Sequence, residues 1–150
     1  MKLILSEEQQ FLKDTAQSFA RDKTPTNHFR KLRDDGNAKC WDESIWQEMV
    51  ELGWSGILVP EEFGGSDFGI AGISVIMQEL GKTLTPSPLL ATSVLGVSTI
   101  KLLGADEQPK NYLPKIVSGE ATTALAVDEG NHHSPFDIEA TATLENDKWI

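Results

Sequence analysis

The sequence predicts a mainly α protein: a helical bundle over residues 1–121, followed by the opening of a β domain over 122–150. Three observations carry that prediction. Apolar residues recur at helical spacing between recognisable start and stop residues from Ser6 to Gly119. After Glu120 the pattern changes to short runs rich in Thr, Val and Ala, which is strand composition. Near the end, Asn146-Asp147 offers a hairpin turn between two such runs.

Ser6-Glu-Glu-Gln9 spells a capping box, with a hydroxyl at the N-cap and Gln three residues on. Phe11, Leu12, Ala16, Phe19 and Ala20 follow at helical spacing, so the first helix is expected from about Ser6 to Arg21, ending before Pro25. A second, short and basic helix closes at Gly36. Ile45, Trp46, Met49, Val50 and Leu52 mark a third, stopped by Gly53 in a left-handed cap. The short apolar run Ile57-Leu58-Val59 ends at Pro60, and Gly64-Gly65 demands an irregular backbone. Ile70, Ile73, Ile76, Met77 and Leu80 restart a helical stripe. After Pro86 and Pro88 a strongly apolar helix runs to about Leu103. Its apolar residues occupy most faces, which predicts burial in the middle of the bundle. Gly104 stops it, Asp106 caps the last helix, and Gly119 ends that one. "TTALAVDE" and "IEATATL" then read as strands, and Lys148-Trp-Ile150 as the start of a third. Three residues cannot complete a strand, and a lone hairpin is marginal in water, so the chain is expected to lack most of a second domain.

The net charge of −10 argues against nucleic acid or an anionic membrane surface as partner, since both need a basic face. No window approaches the apolar length of a membrane span. The start, "MKLILSEEQQ", is too short in apolar residues for a secretion signal. A single cysteine, Cys40, excludes an internal disulfide and fits a reducing, cytoplasmic compartment.

The stretch "ALAVDEGNHHSPFD" concentrates two histidines, three carboxylates and a serine. A metal site is disfavoured because His132 and His133 are adjacent, and adjacent side chains in an extended chain point apart. A serine nucleophile is disfavoured because Ser134 lies in no G-x-S-x-G turn. A solvated polar loop stays open at this level. "PEEFGG" alone reads as a turn, and it lacks the lysine of a phosphate-binding loop.

Four segments together resemble the acyl-CoA dehydrogenase family: "SEEQQFLKDTAQSFARD", "LGWSGILVPEEFGG", "QELGK" and "YLPKIVSGEATTALAV". They stand in family order and spacing over nearly the whole chain, and "PEEFGG" followed by "ELG" is the most specific pair. The resemblance implies a helical N-terminal domain, a middle β domain and a C-terminal helical bundle, with flavin adenine dinucleotide (FAD) between the last two. It implies α,β-dehydrogenation of an acyl-CoA thioester, with a glutamate base beyond residue 150. The implied partners are the acyl-CoA substrate, an electron-transfer acceptor protein and further subunits of a homo- or hetero-oligomer.

The family's flavin loop reads roughly Thr-Glu-Pro-x-x-Gly-Ser-Asp, and here it aligns with Asp128 to Pro135. Val127 and Ser134 fit that pattern. Asp128 replaces the Thr, Gly130 the Pro, His133 the Gly and Pro135 the Asp. The resemblance therefore assigns flavin contact to Val127, Asp128, His133 and Ser134. It assigns the acyl pocket to Leu90, Ala91, Val94 and Ser134. An ionised Asp128 would oppose the charge of reduced flavin unless paired, and His132 or His133 is placed to pair with it. Two other readings stay open: a non-catalytic subunit of a hetero-oligomeric acyl-CoA dehydrogenase, and a flavin-free helical binding module.

Overall fold

The computed structural model describes residues 4–150, so part of the expectation about the N-terminal start falls on residues outside the described ones. The capping box forms as spelled. Gln9 N–H donates to Ser6 Oγ at 3.2 Å and Ser6 N–H to Gln9 Oε1 at 3.0 Å, and α1 runs Glu7–Lys23. Helix α2 (Thr26–Asp34) follows Pro25, which has no N–H to lose, and Gly36 takes up the left-handed conformation at φ 65° beyond it. Helix α3 (Glu43–Glu51) is capped by Asp42, whose carboxylate accepts Ser44 N–H at 2.8 Å and Ile45 N–H at 3.4 Å. Gly53 ends it at φ 76°. Helix α4 is Ile70–Lys82, and Gly81 sits inside it rather than ending it.

Residues 54–59 form a buried turn with no strand, and the chain folds back on it through main-chain bonds. Asp67 N–H donates to Val59 O at 3.0 Å and Phe68 N–H to Ile57 O at 2.8 Å. A Cβ on Gly65 would lie 2.0 Å from Val59 O, which is why a second glycine stands there. This hub is tied on two sides. Ser55 Oγ donates to Val117 O at 2.9 Å, and Lys101 Nζ to Leu58 O at 2.9 Å. Around it the core gathers Ala16, Phe19, Ala20, Trp46, Met49, Trp54, Ile73, Ile76, Leu113 and Ile116. Phe19 meets Trp54 edge to face with ring centroids 5.1 Å apart.

The expected apolar helix departs from regularity. Leu90–Gly96 is a π-helix, and α-helix α5 begins only at Val97 and runs to Leu103. Nor is it buried all round: Leu102 and Leu103 are 80% and 81% exposed, because no described element covers that side of α5. Its apolar faces are therefore not evidence of a central position. Helix α6 (Glu107–Val117) packs beside α5 and ends at Gly119, φ 76°.

Residues 121–150 differ from the expected strands. "TTALAVDE" takes no regular secondary structure and has no ladder partner among the described residues. "IEATATL" pairs only at its end, where β1 (Leu144–Glu145) meets β2 (Lys148–Trp149) in antiparallel register, Leu144 opposite Trp149. The Asn146-Asp147 turn forms with φ 50° and 59°, the left-handed pair that a type I′ hairpin requires. Strand-forming composition is present in the first run, but a strand needs a neighbour's N–H and C=O, and among the described residues no strand pairs with it. No helix among the described residues is long and apolar enough to cross a membrane.

Candidate functional site

The segment that leaves the helical body does so at one fixed point. Thr123 N–H donates to Thr92 Oγ1 at 3.0 Å, and Thr92 Oγ1 donates to Thr123 O at 3.3 Å. From there residues 124–127, without regular secondary structure, lead to Asp128, where the loop begins.

Asp128 is the centre of that loop. Its Oδ1 accepts Ser134 N–H at 2.8 Å and its Oδ2 lies 3.0 Å from His133 Nδ1. His133, rather than His132, is thus the histidine that pairs with it. The side chain of Asp128 is one third exposed while that of His133 is 78% exposed, so the pair sits at the loop's rim. Glu129 makes a second closure: it accepts Glu139 N–H at 2.7 Å and Ala140 N–H at 3.1 Å. Two neighbouring carboxylates thereby pin two separate stretches of main chain. Sequence reading missed the role of Glu129, because its partners lie ten and eleven residues away with no pattern to announce them.

Of the resemblance-assigned residues, the structure brings Asp128, His133 and Ser134 together, while Val127 precedes them as an exposed residue of the run before the loop. Leu90, Ala91 and Val94 all lie on the π-helical turn. Leu90 is 49% exposed and borders a cavity of about 180 Å³ with Met77, Leu80, Leu84 and Leu89; Ala91 and Val94 do not line it. A larger cavity, about 480 Å³, opens between α1, the start of α2 and the end of α4, well apart in sequence from the loop. Glu79 on its wall is buried and receives Lys82 Nζ on both carboxylate oxygens, at 2.6 and 2.8 Å. Among the described residues no three His, Cys, Asp or Glu side chains gather closely enough to hold a metal ion.

Residues 6–120 match the family model for the acyl-CoA dehydrogenase N-terminal domain. The chain belongs to the acyl-CoA dehydrogenase family. It is 33% identical over 124 residues to the acyl-CoA dehydrogenase IpdE2 of Mycobacterium tuberculosis, an alignment covering 81% of this chain and 37% of that protein. To the mitochondrial isovaleryl-CoA dehydrogenase of Bos taurus it is 31% identical over 157 residues, covering 97% of this chain and 34% of the relative. The crystal structure of an acyl-CoA dehydrogenase from Geobacillus kaustophilus superimposes with a TM-score of 0.80 at 28% identity, covering all of this chain and 39% of the other. The chain thus spans little more than a third of the length of these acyl-CoA dehydrogenases.

The edge of a flavin ring is rich in acceptors and is held by N–H and O–H donors. In this loop the Ser134 N–H is already spent on Asp128 Oδ1, and Asp128 itself brings a carboxylate where the family pattern has a hydroxyl. At these atoms the loop differs from the family pattern in the donors it offers.

Proposed function

We propose that these residues are the helical N-terminal part of an acyl-CoA dehydrogenase, and that the complete protein catalyses α,β-dehydrogenation of an acyl-CoA thioester. The observation that supports this reading is the continuous family match over residues 6–120, within which every helix from α1 to α6 lies. In this proposal residues 1–121 are the helical domain and 122–150 the opening of the middle β domain. Leu90, Ala91 and Val94 give the acyl chain an apolar wall, whose use lies in removing water from the chain rather than in proton transfer. The α-proton is removed by a carboxylate outside these 150 residues, so Glu129, whose oxygens are engaged with main-chain N–H groups, takes no such role. FAD as cofactor, an electron-transfer protein as acceptor and a cytoplasmic location belong to the same proposal.

A second reading is favoured by the altered loop, in which Asp128 engages Ser134 N–H and His133: this polypeptide is a subunit that works beside a flavin-holding partner of the same family. The two are separated by one experiment. The complete protein is purified alone, its FAD per chain is measured by absorbance, and acyl-CoA turnover is assayed with an artificial electron acceptor. Stoichiometric flavin with turnover supports the dehydrogenase acting by itself. Flavin-free protein that becomes active only when a partner subunit is added supports the second reading. Flavin-free protein with no acyl-CoA binding under either condition overturns both.

A further inference from the structure

The π-helical turn Leu90–Gly96 is pinned from outside by a residue far along the chain. Val97 N–H donates to Thr92 O, the five-residue spacing of a π turn, and the side chain of the same Thr92 makes both bonds to the Thr123 main chain. Thr92 is fully buried. Gly96 clears the way for the approach, since a Cβ there would lie 1.8 Å from Thr123 Oγ1. The geometry also carries a cost. Ser93 Oγ and Thr123 Oγ1 are buried with no partner, although a helical serine ordinarily relieves its hydroxyl on the carbonyl four residues back. A segment with one orphaned hydroxyl within it and a second packed against it is held by its tertiary contacts and not by its own preference.

We propose that the Thr92–Thr123 pair is a positioning clip: it holds the π turn and thereby sets which residues face the acyl chain. This rests on the dehydrogenase reading. A π turn accommodates one extra residue, so relaxing it to regular α-helix would swing Leu90 and Ala91 by about 100° about the axis relative to α5. The clip also joins that wall to the segment running into Asp128, so wall and loop move as one piece.

Hydrogen exchange on the 150-residue chain tests the clip without any assay of activity. In the wild type the amides of Thr123 and Val97 are expected to be protected. Thr92→Val, close in shape but without the hydroxyl, is expected to speed exchange at Thr123 at least tenfold and to alter Val97. Thr92→Ser restores protection to within about twofold. Thr123→Val leaves it unchanged, because the clip uses only the main chain of Thr123. Unprotected Thr123 in the wild type overturns the clip whether or not the variant folds.

In the complete protein, or its complex with a partner, Thr92→Val is assayed with acyl-CoAs of increasing chain length. The expected result is a KM changed at least fivefold for some lengths and not others, with kcat within twofold and rescue by Thr92→Ser. A uniform fall in activity across all lengths reports mere loss of folded protein and overturns the positioning role. A wild type that turns over no acyl-CoA overturns the dehydrogenase reading and the pocket-shaping role with it, while the exchange data judge the clip separately.

Discussion

Residues 6–120 and residues 121–150 are both supplied with large apolar side chains, and they use them in opposite ways. In the first region Trp54 is 1% exposed and Met49, Val59, Ile76, Leu113 and Ile116 are fully buried. In the second Phe136 is 98% exposed, Trp149 72% and Ile138 66%. Composition does not explain the difference. A helix satisfies its own N–H and C=O groups and needs only another apolar face to pack on, and every helix of the body except α2 buries residues against one. A strand must borrow both its hydrogen bonds and its covering layer, and among the described residues the hairpin β1–β2 pairs only with itself. Apolar sequence is a capacity for burial, realised only where a partner surface exists.

That contrast is broken or sharpened by substitution, followed by chemical denaturation with circular dichroism as readout. The largest effect is expected for Trp54→Ala, which empties the site beside Phe19 and costs about 4 kcal/mol. Gly65→Ala follows at about 3 kcal/mol, since the added methyl meets the rigid carbonyl of Val59 rather than a movable side chain.

Asp42→Ala removes the cap of α3 and should cost about 1 kcal/mol at neutral pH. The Ser44 hydroxyl, 2.7 Å away, is the main cause holding the Asp42 carboxyl below its usual range. Partial burial opposes the shift, and the Ser44 and Ile45 N–H groups and His28 add to it. A carboxyl depressed in the folded state contributes its stability above the unfolded value, about 3.9, and loses it as pH falls through the folded value. The gap between wild type and Asp42→Ala should therefore be widest at neutral pH and narrow below about pH 4.

The smallest effects belong to the second region. Trp149→Ala is expected to change global stability by less than about 0.5 kcal/mol. Glu129→Ala should do the same while releasing the amides of Glu139 and Ala140 to exchange. A loss of several kcal/mol at Trp149 would mean that residues 121–150 share the body's core, and the contrast would fall.

The helices were legible because their signals are local. Ser6 and Gln9 spell a reciprocal cap, and Gly53 and Gly119 stop helices by taking a conformation other residues avoid. The π turn was not legible, since "LATSVLG" fits an α-helix equally well and the bond that distinguishes them depends on Thr123, 31 residues away from Thr92. The loop was legible in part: the need of Asp128 for a pairing group follows from its charge, but its choice of His133 over His132 is a matter of main-chain direction. That both of its oxygens would be engaged within the loop required the folded structure.

The partnership of α1 with α4 has a consequence for how the protein is made. Helix α1 is made before α4, carrying Ala16, Phe19 and Ala20 on its buried face, but its cover is α4 and Trp54, with α2 and α3 synthesised in between. Until the chain beyond Leu80 has emerged, α1 has Trp54 and α3 beside it but lacks α4, and the part of its apolar face that α4 covers stays open to water and to other nascent chains. The interval is set by translation speed, not by stability. Slow codons between α1 and α4 would lengthen that exposure, and a chaperone that shields α1 would act on the growing protein long before any site exists to protect.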